Sequence, residues 1–440
     1  MIYTLKNFKW VAMSTNVYVD IIKDNKILLY HTKSGAYKIS SNSSFIAMST
    51  NVYVDIIKDN KILLYHTKSG AYKISSNSSF IEVVKNFYSP ENLGVIESNQ
   101  LYSKCSVDVE WALKNKVFIP INTIQKPIVL LPILNLQKDI SKIGEGSIDD
   151  RLAIIGSKQN FISGIYIRIS KINNICDTKC SKFRVAASKQ YPCPTYSQRI
   201  DRISPEILSH ILNSLKYTCV SVVDIVCSSD YFSVYSKEDF LYILSKYNYK
   251  YRIHFFIDDF GFALSLLKLI QSIKIELVAY VDKFSTEVKP EVKHLLNRIL
   301  YLNYGEDANK DNANILPVYI GDSNKEANNI RIRREKEEGV FEQKVCFNDV
   351  FRNQKLNSHF FGIVDVDSQC NIRAYGSQHI IGNVTSADFS WTDIVVNELK
   401  QNHSWRLTRD MTNCKDCPLR YICPPISYYE ILSNNTQICG

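Results

Sequence analysis

The chain has 440 residues, of which 45% are hydrophobic and 22% charged, with a formal net charge of +9 at pH 7. This composition excludes a disordered or fibrous protein and predicts a globular chain of two or three domains. Lysine and arginine are scattered rather than clustered, which argues against nucleic-acid binding and favours an acidic peptide as partner. No apolar run approaches the roughly 18 residues that span a bilayer, so no membrane association is predicted.

The cysteine content indicates the redox environment. The chain has twelve cysteines, and it lacks a basic segment followed by an apolar one at its start. Both features predict a cytoplasmic location, where thiolates hold metals more often than they form disulfides.

The first feature along the chain is an internal repeat, because residues 12–46 and 47–81 are identical at all 35 positions. Structural repeats normally diverge, and stable arrays usually need at least about three units. Perfect identity therefore indicates a recent tandem duplication or a sequence-assembly error, and we expect one functional copy. The sequence alone does not say which copy is surplus.

The second copy and the residues after it predict a small domain over residues 1–122. Alternating apolar residues predict a β-hairpin over 52–56 and 62–65, and Ser78 is the predicted N-cap of a following helix. Further elements are predicted as helices over 90–98 and 107–115 and as an extended segment over 117–120. This order resembles the PqqD-like winged helix-turn-helix that recognises leader peptides. In such a domain the strands over 52–56 and 62–65 would offer an exposed edge to which a peptide strand can be added. A small accessory domain with no binding role is the alternative.

Residues 123–162 are predicted to be a connector, and the segment 163–355 alternates apolar strands with amphipathic helices. Strands are predicted at 164–169, 220–226, 251–257, 275–280 and 316–320, and helices at 205–215, 237–246, 262–270 and 290–300. This rhythm predicts an α/β fold with a parallel sheet covered by helices, closed or partly closed as a barrel.

Two cysteines follow the first of these strands, beyond the carboxyl end where barrel active sites lie. Cys176 and Cys180 are four residues apart, and Phe183 follows three residues later. The spacing resembles the CxxxCxxC signature of radical S-adenosylmethionine proteins, whose three thiolates hold a [4Fe–4S] cluster that binds S-adenosylmethionine. A phenyl ring cannot ligate iron, so loss or weakening of this cluster is predicted. Cys193 is the nearby thiol that could substitute, and reduced thiols without a ligand are the alternative.

A second departure follows the next strand. Radical S-adenosylmethionine enzymes have a Gly-Gly-Glu type turn there, which lets the backbone approach the methionine end of the cofactor. This chain has Cys227, Ser228, Ser229 and Asp230 at the matching place. Both glycines are therefore replaced, and S-adenosylmethionine binding is not expected.

The last 27 residues contain four cysteines, Cys414, Cys417, Cys423 and Cys439. Cysteines at positions i and i+3 can both point at one metal, and a third six residues later can close the site after a turn. Three nearby prolines favour a knuckle-like loop over a helix. A zinc knuckle and unrelated reduced thiols are the alternatives to an iron–sulfur site.

Residues 360–440 resemble the SPASM domain of peptide-modifying radical S-adenosylmethionine proteins, whose signature is CxxCxxxxxC. The resemblance implies one auxiliary iron–sulfur cluster, of the [4Fe–4S] type, on Cys414, Cys417, Cys423 and Cys439, with zinc as the alternative. A second cluster would need a cysteine where this chain has Ser427. It would also need cysteines on an upstream hairpin, where Cys370 stands at a turn that usually has glycine. At most one auxiliary cluster is therefore expected.

As a whole, the chain resembles the pseudo-radical-SAM/SPASM proteins of GG-Bacteroidales type peptide-maturation systems. The resemblance implies a degenerate (β/α) barrel over 163–355, a SPASM-like domain over 356–440 and the winged domain ahead of them. It also implies a non-catalytic accessory protein of ribosomal peptide (RiPP) maturation that binds a precursor peptide, a partner radical SAM maturase, or both. The alternatives are a peptide-modifying enzyme with a repaired cluster on Cys176, Cys180 and Cys193, and a zinc-stabilised interaction module.

Overall fold

The structure is a computed structural model, and its described residues form two compact units. The units are Met1–Leu136 with Gln343–Phe347, and Gln137–Glu342 with Asn348–Gly440. The described residues are 2–3, 17–22, 26–31, 44–57, 60–102, 106–122, 126–129, 131, 161–170, 202–256, 260–269, 274–282, 296–303, 315–317, 344–427 and 430–431.

The first unit consists of antiparallel sheets and short helices. Its elements in chain order are β1 Ile2–Tyr3, β2 Val17–Ile22, β3 Lys26–His31, β4 Ser44–Met48, β5 Val52–Ile57, β6 Lys61–His66, β7 Tyr72–Ser75, α1 Ser78–Phe87, β8 Val95–Glu97, α2 Asn99–Tyr102, α3 Ser106–Lys114 and β9 Phe118–Asn122. They form three sheets with the strand orders β1-β3-β2, β5-β6-β7 and β8-β4-β9.

The second copy of the repeat supplies the sheet that packs in the core of this unit. Alternate residues of a strand point to the same face, and Val52, Val54, Ile62 and Leu64 are all buried on one face of β5 and β6. They share a core cluster with apolar residues of α1, including Phe80 and Phe87. The first copy forms the same hairpin in β2 and β3, with the same register.

One tetrapeptide adopts two secondary structures. Ser-Ser-Phe-Ile occurs at residues 43–46 and 78–81. In the first occurrence Phe45 and Ile46 lie in β4, and in the second Phe80 and Ile81 lie in α1. The residues before both are identical, so the difference comes from the residues on the C-terminal side of the tetrapeptide. Val83, Val84 and Phe87 extend the apolar spacing of a helix, with all three side chains buried.

The small domain differs from its predicted elements at two places. Asn77, not Ser78, caps α1, because its side chain accepts hydrogen bonds from the amides of Ser79 and Phe80 at 3.0 and 3.3 Å. The helix predicted over 90–98 is wrong. Leu93 and Gly94 have positive φ angles of 47° and 78°, which end a turn and lead into β8. The helix predicted over 107–115 is present as α3.

The second unit is built on a nine-stranded mixed sheet. Its elements are β10 Gly164–Arg168, α4 Pro205–Ser214, β11 Val222–Val226, α5 Lys237–Ser245, β12 Lys250–Phe256, α6 Phe260–Leu269, β13 Ile275–Asp282, β14 Arg298–Asn303, β15 Ile315–Pro317, α7 Phe347–Asn353, β16 Ile363–Val366, β17 Asn371–Ala374, β18 Ile380–Asn383 and α8 Trp391–Gln401. The strand order is β15-β14-β13-β12-β11-β10-β16-β17-β18.

The sheet is parallel from β15 to β16 and antiparallel from β16 to β18. The mixed α/β class predicted from the sequence is therefore confirmed. One face of the parallel part is apolar and belongs to the same core cluster as residues of α4, α5 and α6. Among the described helices, none has the length and apolarity needed to cross a membrane.

The element predictions for this unit are right in order but miss one strand. The helix predicted over 290–300 is wrong where the structure describes it, because Arg298–Asn303 is strand β14, paired in parallel with β13. Its sequence, RILYLN, lacks the regular alternation of apolar and polar residues that marks a strand with one exposed face. Strands within a parallel sheet are usually apolar on both faces, so their pattern is hard to distinguish from that of a helix. The helices predicted at 205–215, 237–246 and 262–270 are present as α4, α5 and α6.

The segment after residue 362 forms β16, β17 and β18, and Cys370 lies in the turn between β16 and β17 with a φ of 65°. This left-handed conformation favours glycine, so a glycine would adopt it here at lower free-energy cost than Cys370 does.

Gly362, just before β16, lies in close contact with the residues just before β10. Gly362 has φ of 78°, and its carbonyl accepts a hydrogen bond from the Ser163 amide at 2.8 Å. A Cβ atom there would collide with the Phe161 carbonyl oxygen, whereas one at Gly261 would meet nothing within 4 Å.

We expect Gly362→Ala to lower the free energy of unfolding by more than about 2 kcal/mol, because it combines a left-handed backbone with a backbone clash. The control Gly261→Ala lies in α6 and should raise the free energy of unfolding by up to about 1 kcal/mol. Urea denaturation followed by circular dichroism measures both. Equal stability of the two variants would contradict the geometry at Gly362.

Candidate functional site

The predicted cofactor site follows β10, and most of it lies outside the described residues. Cys176, Cys180 and Cys193 all belong to this group, so their placement stays a prediction. The structure does describe the end of the strand itself, where Ser170 is buried. Ser170 therefore marks the carboxyl edge of the sheet, and the segment with Cys176, Cys180 and Cys193 follows it in the sequence.

The turn after β11 is filled by side chains. Ser228 is buried, and its Oγ lies 3.2 Å from the Oγ of Ser170. Residues Ser229–Ser233 form a 3-10 helix. Arg202 holds this helix, because its Nη2 donates to both carboxylate oxygens of Asp230 at 2.8 and 2.7 Å. The space beside this turn thus holds two buried hydroxyls and an ion pair.

The face of the sheet opposite the helices carries a row of polar residues, here called the polar face. It contains Tyr166 and Arg168 of β10, Asp224 of β11, and Arg252 and His254 of β12. Tyr166 lies opposite Asp224 in the parallel register, and Asp224 lies opposite Arg252. Since parallel sheets are normally apolar on both faces, this row requires an explanation.

Asp224 is the centre of the polar face. Its carboxylate is buried and accepts hydrogen bonds from Nη2 of Arg252 at 2.6 Å and from Nε2 of His254 at 2.7 Å. His254 is also buried, and its Nδ1 lies 2.9 Å from the hydroxyl of Tyr280 on β13. Burial lowers the pKa of His254, and the hydrogen bond to Asp224 opposes that effect. Both ring nitrogens therefore have partners, and the imidazole is held neutral.

A second buried pair connects β10 to β16. Nε of Arg168 donates to both carboxylate oxygens of Asp365 at 3.0 Å each, and Arg168 is only 2% exposed. Beside it, Tyr166 stacks on Tyr375 with ring centroids 4.7 Å apart, and burial raises the pKa of the Tyr166 hydroxyl. These contacts neutralise Arg168 within the sheet and leave aromatic rings packed around it.

The polar face was not predicted from the sequence. The signal was available, because YIR in β10, VVDIV in β11 and YRIHFF in β12 place charged residues at alternate positions of strands that otherwise read as fully buried. Such residues are expensive to bury alone, so they predict one another as partners.

The three C-terminal cysteines that the structure describes, Cys414, Cys417 and Cys423, lie in a series of turns. The Cys417 amide donates to the Cys414 carbonyl at 2.9 Å, and the Cys423 amide donates to the Leu419 carbonyl at 2.8 Å. Cys414 is buried, and Cys417 and Cys423 are partly buried. The knuckle-like loop expected from the prolines is thus present over the described part of the tail.

Arg409 ties this loop to the rest of the unit. It is buried, its Nη1 pairs with Oε1 of buried Glu430 at 3.0 Å, and its Nε donates to the Pro424 carbonyl at 2.7 Å. Burial acts to lower the pKa of Arg409, but Glu430 and, more weakly, Cys423 and Cys414 raise it above its ordinary value. Two of the predicted ligands therefore lie close enough to one guanidinium to interact with its charge.

The fit of this loop to a metal is partial. Among the described residues, no group of three or more His, Cys, Asp or Glu side chains is arranged to hold a metal ion. Cys439, the predicted fourth ligand, lies outside them. The donor chemistry does fit, because sulfur ligands select iron–sulfur clusters or zinc. The amide and hydroxyl of Ser427, at the place of a second-cluster cysteine, donate to Oε2 of Glu430 at 2.8 and 3.1 Å.

The β5-β6-β7 sheet of the first unit has two outer strands, and one of them contains part of the predicted edge. Strand β6 is central, since it pairs with both β5 and β7, so residues 62–65 are covered. The outer strands of this sheet are β5, which contains the predicted residues 52–56, and β7. On β7, Tyr72 and Ile74 are 51% and 38% exposed and lie on the same face. The intervening Lys73 points the other way, with its Nζ 2.7 Å from Oδ1 of Asp108 on α3. In the described part of the chain, no further strand pairs with β7.

No protein-family model matches this sequence, and no curated protein matches it either. Support for a function therefore comes from the geometry of the chain itself.

The buried His254 predicts a pH dependence of stability. Its pKa in the folded protein lies below the ordinary value of 6.5. The unfolded chain therefore binds this proton at a higher pH than the folded protein does. The free energy of unfolding should fall as the pH decreases through about 6.5, by at most about 1.4 kcal/mol per pH unit for this group.

We expect His254→Gln to flatten this fall while keeping a donor near Asp224. Tyr280→Phe removes a neighbour without removing the titration, so it should lower stability at every pH and keep the slope. Urea denaturation between pH 5 and pH 8 gives both slopes. A wild-type slope in His254→Gln would show that another group carries the dependence, such as His359, whose pKa is also lowered.

Proposed function

We propose that this protein is a non-catalytic accessory protein of ribosomal peptide maturation that binds a precursor peptide, a partner radical SAM maturase, or both, in the cytoplasm. The observation that carries the proposal is the turn after β11. Ser170 and Ser228 share a hydrogen bond there, and Arg202 holds Asp230. A cofactor that needs close backbone approach would meet these side chains instead of glycines.

The polar face supports the same proposal. Asp224 is bonded to Arg252 and His254, and Arg168 is bonded to Asp365. A general base needs a carboxylate or imidazole within reach of a substrate proton. Here these groups are bound to one another, which suits a role in holding the sheet together. The architecture would thus be a partial barrel of radical SAM type that serves as a scaffold.

The edge of β7 is the proposed peptide site. Exposed apolar residues beside an open strand edge are normally avoided, because such an edge pairs with other chains. Tyr72 and Ile74 stand at this edge, and alternate side chains of an added strand would pack next to them. The net charge of +9 favours an acidic peptide.

For the tail, we propose one auxiliary [4Fe–4S] cluster held by Cys414, Cys417, Cys423 and Cys439. When bound, it would supply four bonds that fix a segment with little apolar core of its own. Arg409 and Glu430 already join the loop to the unit, so the cluster's role is structural.

The peptide site is tested by fluorescence anisotropy with a labelled leader peptide encoded beside this gene, with and without the neighbouring maturase. We expect the double variant Tyr72→Ala/Ile74→Ala to bind at least about tenfold more weakly, because about 1.4 kcal/mol of apolar contact is lost. The control Tyr217→Ala removes an equally exposed tyrosine of the other unit and should bind normally. Absence of binding by the wild-type chain in both samples would refute the peptide role.

A second assay distinguishes a non-catalytic accessory protein from an enzyme. Anaerobically reconstituted protein is incubated with S-adenosylmethionine and dithionite. Formation of 5′-deoxyadenosine that disappears in Cys180→Ala would establish a repaired cluster and overturn the accessory role.

Elemental and sulfide analysis of anaerobically purified protein tests the tail. We expect about four iron and four sulfide per chain, reduced by Cys414→Ala and unchanged by Cys346→Ala, which alters an exposed cysteine outside the tail. About one zinc and no sulfide would replace the cluster with a zinc knuckle.

A further inference from the structure

Every residue that the repeat contributes to the core of the first unit exists twice. The buried residues Val52, Val54, Ile62 and Leu64 have identical counterparts 35 positions earlier in Val17, Val19, Ile27 and Leu29. The segment before each copy is also similar. Strand β4 reads Ser-Phe-Ile-Ala-Met, and residues 9–13 read Lys-Trp-Val-Ala-Met. A contact made by residues of the second copy is therefore chemically available to the first.

Strands β2 and β3 of the first copy already form the required hairpin. Strands β2 and β3 pair from Val17 opposite His31, and β5 and β6 pair from Val52 opposite His66. The outer edge of each hairpin also receives a third strand in one register, with Ile2 opposite Leu28 and Ile74 opposite Leu63. The two hairpins are thus equivalent in backbone pairing and differ in the segments to which they are attached.

From this equivalence we propose that the two copies compete for one place in the core, so that the first unit exchanges between two folded arrangements. In one, residues 44–75 supply β4 to β7, as the structure describes. In the other, residues 9–40 supply the same four strands, and the second hairpin is expelled as a loop ahead of α1. Helix α1 is common to both, because Glu82–Phe87 occurs once in the chain.

Two physical differences favour the described arrangement. Expelling the second hairpin closes a loop of about 35 residues, whereas the first copy simply precedes β4 and closes none. In addition, Val11 would replace buried Ile46, with loss of one methylene from the core. The second arrangement is therefore the minor one, and a substitution that harms only the second copy should make it the major one.

The test uses a core leucine in each copy. Leu64 is fully buried, and Leu29 is its counterpart. We expect Leu29→Asp to change the amide protection of α1 by less than about tenfold, and Leu64→Asp to keep at least about tenfold more protection than the double variant, because the intact copy fills the core. The double variant Leu29→Asp/Leu64→Asp should lose at least about a hundredfold. Hydrogen exchange with mass spectrometry on the full chain measures the protection of Ser78–Phe87.

Peptides from the two unaltered copies have identical masses. The aspartate substitution changes the mass of one copy, so it shows which copy each peptide comes from. In Leu64→Asp the protected hairpin peptides should be those with Leu29, and in Leu29→Asp those with Leu64. The control Leu101→Asp changes a fully buried leucine of the same core that the repeat does not duplicate. It should lose as much protection as the double variant.

Two results would overturn the exchange. One is loss of α1 protection in Leu64→Asp alone to the level of Leu101→Asp, and the other is retained protection in the double variant. Deleting residues 12–46 removes the spare copy, so Leu64→Asp in that shortened chain should behave as the double variant does in the full chain.

Discussion

The parallel sheet of the second unit depends on one buried carboxylate, Asp224. A charge without partners in such a place would cost several kcal/mol, so β12 must present Arg252 and His254 to it. These two contacts fix the register between β11 and β12, because a shift of one residue would turn both partners to the helix-covered face. Tyr280 extends the same network to β13. The electrostatic requirement thus acts across three strands.

The two ends of the second unit repeat this principle with other residues. Arg168 and Asp365 join the first parallel strand to the C-terminal hairpin, and Arg409 and Glu430 join the cysteine loop to the residues around it. Removing one partner of such a pair leaves an uncompensated charge, at a cost of about 3–5 kcal/mol. Buried ion pairs are weak evidence for stability but strong evidence that the paired segments belong together. They therefore link the first parallel strand to the C-terminal hairpin, and one end of the tail's cysteine segment to the other.

The duplicated segment shows how far local sequence determines structure. The pairing within the hairpin is local, so both copies form it in one register. The tetrapeptide Ser-Ser-Phe-Ile is a strand in one place and a helix in the other, and the two sequences differ only after Ile46 and Ile81. The tetrapeptide by itself therefore does not determine which of these states forms. The apolar spacing over the next turn does, because it determines whether a helix can bury a continuous face.

The sequence by itself determined the alternation of strands and helices, the mixed α/β class and the turns around the C-terminal cysteines. These follow from apolar periodicity and proline, which act over a few residues. The tertiary structure decided that β5 and β6 pack in one core with α1 and that Arg298–Asn303 is a strand. It also brought Asp224, Arg252 and His254 together from separate strands. Such choices depend on partners distant in the chain, and a single sequence carries no direct record of which residues meet.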